Sequence, residues 1–295
     1  MLDPVFARGR RWESLQALPR SRRPKLGQHF LSDARIRERL VGSIPLSASD
    51  LVVEIGPGKG AMTGLLAAGA RRVVAVELDA ALSERLEQHF HGDSRVEVVR
   101  GDILTTDLGE VCRRRQVENC YVFGNLPYYI TSPILHHLFR HRRSIRGMAL
   151  LVQREVAERI TAAPGSRAYG YLSVLAQLYS RPRIVFFVPP GAFSPPPKVQ
   201  SALVQFEMTE YPSAPGLEAV DAEELLEFAK VCFAQKRKSV LNNLSKTFGR
   251  TPVEHALAGL GLARSVRAEQ LSLNQLARLY TRLGEPSGQV LSPGS

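Results

Sequence analysis

The run Leu51-Val52-Val53-Glu54-Ile55-Gly56-Pro57-Gly58-Lys59-Gly60-Ala61 decides the architecture of this chain. Five β-prone residues lead into a turn with glycine at alternate positions, and a helical pattern follows over 60–68. Gly56, Gly58 and Ala61 satisfy the G-x-G-x-x-G/A fingerprint of loops whose backbone approaches a nucleotide-bearing cofactor closely. Glu77, at the end of the next β-run, stands where such loops place a carboxylate for a ribose. The turn is not a phosphate-binding P-loop, because no Gly-Lys-Ser/Thr follows at the required spacing. Taken alone it suits a nicotinamide cofactor and S-adenosylmethionine equally, and a turn without ligand is the plainer alternative.

Outward from this turn, β-runs recur at 72–77, 96–99, 121–123, 148–152, 184–188 and 202–206. Helical patterns cover 32–44, 80–89, 133–141, 153–162 and 168–179. Such alternation predicts βαβ units and a parallel sheet. Beyond Met208 the stretch Tyr211-Pro212-Ser213-Ala214-Pro215-Gly216 reads as a linker, and the remainder is helix-patterned and poor in strands. The expected organisation is a flexible basic arm over 1–25, an α/β domain over 26–210, a small helical domain over 217–284 and a flexible tail over 285–295.

The 295 residues carry a net charge of +11, and basic residues cluster in Arg8-Gly9-Arg10-Arg11, Arg20-Ser21-Arg22-Arg23-Pro24-Lys25, Arg113-Arg114-Arg115, Arg140-His141-Arg142-Arg143 and Lys236-Arg237-Lys238. A single cluster of this kind is commonly a solvated face; their number favours a polyanionic partner, foremost a nucleic acid. No apolar stretch is long enough for a membrane helix and no secretory leader is apparent, so the cytosol is the expected compartment. The cysteines Cys112, Cys120 and Cys232 lie in no metal-ligand spacing and are expected to be buried thiols, with no metal site.

Two acidic residues end successive β-runs, Glu77 and Asp102. In an open α/β sheet both would face one cleft at the carboxyl ends of the strands, one toward ribose hydroxyls and one toward an adenine amino group. Together they favour a cationic ligand such as S-adenosylmethionine. A helix cap is the plainer alternative for Asp102.

Phe123-Gly124-Asn125-Leu126-Pro127-Tyr128-Tyr129 points to the chemistry. An exocyclic adenine amine is a poor nucleophile because its lone pair is delocalised into the ring. If the Asn125 side-chain oxygen and the Leu126 carbonyl accept its two hydrogens, the nitrogen is drawn toward tetrahedral geometry and its lone pair is aimed at a methyl donor, which is positioning and not acid–base catalysis. Pro127 fixes the turn, and Tyr128 offers a stacking face for the base. A strand-ending Asn-x-Pro turn without function is the alternative. The loop Val188-Pro189-Pro190-Gly191-Ala192-Phe193-Ser194-Pro195-Pro196-Pro197-Lys198-Val199 predicts a stiff wall. Phe193 would close over a target base opposite Tyr128 and Lys198 would meet phosphate; a merely rigid connector fits the spacing as well.

Leu26-Gly27-Gln28-His29-Phe30-Leu31, Glu54-Ile55-Gly56-Pro57-Gly58, Glu77-Leu78-Asp79, Gly101-Asp102, Asn125-Leu126-Pro127-Tyr128, Phe193-Ser194-Pro195-Pro196-Pro197-Lys198 and Gln235-Lys236-Arg237-Lys238-Ser239-Val240-Leu241-Asn242-Asn243-Leu244 follow one another in order along nearly the whole chain. Jointly they resemble the small-subunit ribosomal RNA adenine dimethyltransferases. The resemblance implies a Rossmann-like, seven-stranded S-adenosylmethionine-dependent methyltransferase domain with a small C-terminal all-helical domain. It further implies dimethylation of two adjacent adenosines in the loop of the 3′-terminal helix of small-subunit rRNA, on pre-ribosomal particles late in assembly, by a protein expected to be a monomer. Carried over by position, His29, Leu31, Gly56, Gly58, Glu77, Leu78, Asp102, Ile103 and Asn125 would bind the cofactor. Asn125, Leu126, Pro127 and Tyr128 would form the catalytic turn, and Tyr128, Phe193, Lys198, Lys236, Arg237 and Lys238 would contact RNA. The family usually has Asn where this chain has His29, and often Asn in place of Tyr129.

The related large-subunit adenine methyltransferases share the cofactor and catalytic motifs, but the Pro-Pro-Pro-Lys loop and the Gln-Lys-Arg-Lys segment favour the small-subunit type. A non-catalytic assembly factor would have no use for an intact Asn125-Leu126-Pro127-Tyr128. A nicotinamide oxidoreductase would explain neither that tetrapeptide nor the basic surface.

Overall fold

A computed structural model describes residues 29–127, 130–209, 217 and 220–284. The basic arm, Leu26 to Gln28, Tyr128 and Tyr129, the linker over 211–216 and the tail beyond 284 lie outside the described residues.

The turn at Gly56 follows strand β2 (Leu51–Ile55), each residue of which is buried. That pattern belongs to a parallel strand covered on both faces. Around it run β3 (Arg72–Glu77), β4 (Val96–Arg100), β5 (Cys120–Asn125), β6 (Ile145–Gln153), β7 (Ser180–Val188) and β9 (Ser201–Met208), in the order β4-β3-β2-β5-β6-β9-β7. The first five are parallel, and β9 is antiparallel to both β6 and β7. The chain winds outward from β2 through β3 to β4, then returns to β2's other side as β5. A reversal of this kind opens a crevice at the carboxyl ends of the two central strands.

Helices cover both faces, and α3 (Ala80–His89), capped by Asp79, links β3 to β4. On one, α1 (Ala34–Gly42) and α2 (Thr63–Gly69) supply Leu40, Leu66 and Ala67 to an apolar cluster with Val52, Tyr121 and Phe123. On the other, α5 (Thr131–Arg140), α6 (Arg154–Thr161) and α7 (Tyr171–Tyr179) pack on Val53, Val122 and Leu150. The same core continues without a break into α8 (Ala222–Cys232), α9 (Val240–Phe248), α10 (Arg250–Gly259) and α11 (Leu273–Gly284) through Leu225, Leu244, Leu257 and Leu276. Asp221 and Ser239 cap α8 and α9, satisfying N–H groups that a helix start leaves unpaired. Cys112, Cys120 and Cys232 are buried free thiols.

Beyond shifts of a few residues at element ends, four departures from the sequence reading bear on the site and its surroundings. The helix expected from Gly60 begins at Thr63, because Gly60 has φ +77°, outside right-handed helical space. The helix expected from Ala168 begins at Tyr171, after the extended Gly170. A further helix, α4 (Leu108–Arg113), precedes β5 and is capped by Asp107. A second, two-stranded sheet joins β1 (Phe30–Leu31) antiparallel to β8 (Phe193–Ser194), tying the start of the described chain to the proline-rich loop.

Candidate active site

The crevice at the reversal is a cleft of about 670 Å³. Its floor is the Gly56–Ala61 turn, its sides are the strand ends at Glu77, Asp102 and Asn125, and its rim is His29 to Ser32. His29, Leu31, Gly56, Gly58, Glu77, Leu78, Asp102, Ile103 and Asn125 all line it, as do Leu126 and Pro127.

Gly56 and Gly58 sit at φ +63° and +60°, which other residues adopt only with strain. A Cβ on Gly58 would lie 2.9 Å from Cε1 of Phe30, whose ring covers the turn and lies 4.8 Å from Lys59 Nζ. Glycine is therefore favoured there by conformation, and any larger residue would also have to displace the Phe30 ring. The Gly58 N–H donates to Glu77 Oε2 at 3.0 Å, and the Asp79 N–H donates to Oε1 at 2.9 Å. Glu77 is thus fixed by the turn it faces, and it is 4% exposed.

Behind Glu77 lies Glu54, 2% exposed, which accepts a hydrogen bond from Thr63 Oγ1 at 2.6 Å. Burial, reinforced by the charge of Glu77 and opposed by the Thr63 bond, raises its pKa from 4.5 to about 7. Two carboxylates at one end of a cleft favour a ligand that brings positive charge. A stability test follows. Between pH about 4.5 and about 7 the folded chain holds a proton on Glu54 that the unfolded chain has released, so stability falls as pH rises through that window. The loss is on the order of 3 kcal/mol and complete above it. Glu54→Gln is expected to be more stable than the parent at pH 8 and about equal to it at pH 5 in urea titrations. Equal stability at both values would remove the assigned burial cost.

Asp102 Oδ1 accepts from the Leu104 N–H at 3.0 Å, capping a short turn. Capping and cleft-lining therefore hold together, and Ile103, 7% exposed, sits beside it. Leu78, just past the end of the neighbouring strand β3, also lines the cleft and is 45% exposed.

At the end of β5, Asn125 Nδ2 donates to the His29 carbonyl at 3.1 Å. A carbonyl only accepts, so the amide must present its NH₂ to His29 and turn its oxygen away. His29 is itself anchored, with Nδ1 2.7 Å from the Pro195 carbonyl and the adjacent β1–β8 pairing. The Leu126 N–H donates to the Leu151 carbonyl at 3.0 Å, and the Leu126 side chain is 1% exposed, so the turn is held by the sheet on one side and the core on the other. Pro127 O accepts from the Ile130 N–H at 3.2 Å. Tyr128, the expected stacking partner, lies outside the described residues.

Phe193 requires a correction. It was expected to close over a target base, but pairing with Leu31 carries it into the apolar cluster with Ala192 and Leu203, where it is 3% exposed. It serves as core under the rim and presents no face to a base. Lys198 is exposed on the same loop. Lys236, Arg237 and Lys238 are exposed between α8 and α9, and Lys236 Nζ donates to the Arg167 carbonyl at 2.7 Å. The sequence reading assigned no role to Glu54 or Phe30. The signal for Glu54 was present, a carboxylate within an otherwise apolar central strand. Among the described residues no group of three or more His, Cys, Asp or Glu side chains is arranged to hold a metal, and no helix is long and apolar enough to cross a membrane.

A family model described as ribosomal RNA adenine dimethylase matches residues 20–285. The chain is 44% identical over 272 residues to a ribosomal RNA small subunit methyltransferase A of Acidobacterium capsulatum, covering 92% of this chain and 94% of that one. It is 40% identical to the protein of the same name from Koribacter versatilis, covering 89% and 95%. Among solved structures it resembles a dimethyladenosine transferase from Plasmodium falciparum (TM-score 0.70, 25% identity, 85% and 96% covered). It also resembles the 23S rRNA methyltransferase ErmE (TM-score 0.66, 27% identity, 86% and 99% covered).

Proposed function

The chain belongs to the ribosomal RNA adenine dimethylase family, and from that membership we propose how its cleft works and which adenosines it modifies. It is a methyltransferase of small-subunit rRNA. The proposed targets are N6 of two adjacent adenosines in the loop of the 3′-terminal helix, on cytoplasmic pre-ribosomal particles late in assembly. The protein is proposed to act as a monomer.

The cofactor reading rests on the fit of the cleft to S-adenosylmethionine. Gly56 and Gly58 give backbone access, Glu77 suits the ribose, Asp102 with Leu78 and Ile103 suits an adenine, and the buried pair Glu54 and Glu77 suits a cation. When bound, S-adenosylmethionine supplies an activated methyl group. The protein's part is to bring the adenosine amine to it in the right orientation. The observation that carries this reading is the Asn125 amide, whose NH₂ is engaged by the His29 carbonyl. Its oxygen is thereby directed as an acceptor, and with the Leu126 carbonyl it forms the pair that holds the two amine hydrogens. No general base is required, because the amine lone pair is aimed and not deprotonated. Residues 217–284 are proposed as the RNA-gripping helical domain, with Lys236, Arg237 and Lys238 and, from the proline-rich loop, Lys198 meeting phosphates.

Incubation with labelled S-adenosylmethionine and under-methylated small-subunit particles, followed by mass spectrometry of nucleosides, is expected to yield N6-dimethyladenosine. Its absence overturns the reading. Asp102→Ala is expected to weaken cofactor binding about tenfold or more by calorimetry, the scale of one hydrogen bond to a charged group. Unchanged affinity would return Asp102 to a capping role alone.

A further inference from the structure

Among the described residues three large apolar side chains are exposed: Leu78 at 45%, Phe187 at 39% and Val199 at 44%. Leu78 lines the cofactor cleft, where an adenine would cover it. Phe187 and Val199 do not line the cleft, and nothing in the methyl-transfer site accounts for their exposure.

Arg154 links them. Its guanidinium carbon lies 5.0 Å from the centre of the Phe187 ring. Its backbone N–H donates to the carbonyl of Gln200, the residue after Val199, at 2.9 Å, and Nη1 donates to Gln200 Oε1 at 3.3 Å. Glu158 Oε1 accepts from Arg154 Nε at 2.7 Å, which steadies the guanidinium beside the ring and offsets its charge. Lys198, exposed next to Val199, adds a cation.

Strand register locates this cluster relative to the chemistry. Asn125 pairs with Leu151, Leu151 with Leu203, and Leu203 with Phe186. Phe187 therefore stands one residue past the level of Asn125, toward the carboxyl ends where the cleft opens. It is three strand spacings away, or about 14 Å at ~4.8 Å each. Phe187 is level with Ala202 and Val152 and so points to the sheet face opposite that of Leu151, Leu203 and Phe186. An RNA strand whose adenosine reaches Asn125 would meet Phe187 a few nucleotides away by crossing the carboxyl edge of the sheet.

We propose that Phe187, Arg154, Val199 and Lys198 form a platform for an unpaired base flanking the target adenosine, with Phe187 as the stacking face and Lys198 on the adjoining phosphate. Sequence-tolerant recognition of single-stranded RNA combines these side-chain types: an aromatic face, a guanidinium in its plane of contact and a nearby cation. A protein partner would call for a broader apolar patch than two side chains beside an arginine.

The inference rests on the RNA-methylation reading, and its test separates the two. A hairpin RNA carrying the target loop is labelled with 2-aminopurine at successive positions beside the target. The wild-type protein is expected to quench one of them. Phe187→Ala is expected to abolish that quenching and to raise the RNA Kd about five- to tenfold, the lower range for loss of one stacked base. The cofactor Kd and the kcat at saturating particles should stay unchanged, and Phe187→Trp should restore both quenching and affinity. An unaltered RNA Kd in Phe187→Ala overturns the platform while leaving the methylation reading intact. A defect confined to assembled particles, absent with protein-free RNA, also overturns it and assigns the patch to a protein contact. A wild-type protein that methylates no small-subunit particle overturns the underlying reading and the platform with it.

Discussion

Asn125→Ala is expected to lower kcat by about 10²–10³-fold, the cost typical of removing one preorganised polar group from a reacting centre. RNA affinity should change little. The alanine side chain removes the amide oxygen that would accept an amine hydrogen and also the NH₂ that bonds His29. The contacts placing the turn itself survive, since the Leu126 N–H still reaches Leu151 and the Leu126 side chain stays in the core. The variant should therefore fold and bind. Asn125→Asp sharpens the test: its carboxylate keeps an acceptor for the amine but sets a second acceptor against the His29 carbonyl, so activity should also fall. Single-turnover methylation beside RNA binding by filter retention measures both quantities. Parallel loss of binding and turnover would mark Asn125 as a structural turn residue.

Glu77→Ala should act on binding instead. Its carboxylate is proposed to hold the ribose while it accepts from the Gly58 and Asp79 N–H groups. Hydrogen bonds to a charged group are worth about 1.5–3 kcal/mol each, so losing a ribose pair corresponds to a rise of about a hundredfold or more in cofactor Kd. Two backbone donors lose their acceptor, that of Gly58 in a buried place and that of Asp79 in a part-buried one, and stability should fall by about 2–6 kcal/mol at about 1–3 for each. Calorimetric titration with S-adenosylmethionine, together with urea denaturation, separates the effects. Full affinity in a destabilised variant would reduce Glu77 to a brace for the glycine turn.

Central strands were the most legible part of the fold. The runs at 51–55 and 72–77 match β2 and β3 residue for residue. Parallel strands covered on both faces leave a near-continuous apolar signature, interrupted in β2 only by Glu54. The strand-end carboxylates and Asn125 were legible for a related reason, since a βαβ sheet sends its carboxyl ends to one side. Two-residue strands carry no periodicity, so the pairing of Phe30–Leu31 with Phe193–Ser194 was not readable. Phe193 was consequently misread: a phenylalanine among prolines suggests an exposed wall, and only its long-range partner Leu31 shows that it points inward. Glu54 stands in the strand run, but its raised pKa comes first from burial and then from the charge of Glu77, against the Thr63 hydrogen bond, and only folding supplies these surroundings.

The β1–β8 pairing also sets a schedule. Residues 29–31 leave the ribosome early, yet the strand that anchors them is made some 160 residues later, as the span between His29 and Pro195 shows. A nascent chain that has reached β6 already contains the glycine turn, both acidic strand ends and Asn125. It still lacks the strand that anchors the rim, and with it the fixed His29 carbonyl that orients the Asn125 amide. Closing so long a loop is slow relative to forming local contacts. Catalytic competence therefore arrives late in the protein's own synthesis, after Phe193 and Ser194 have been made and paired with β1.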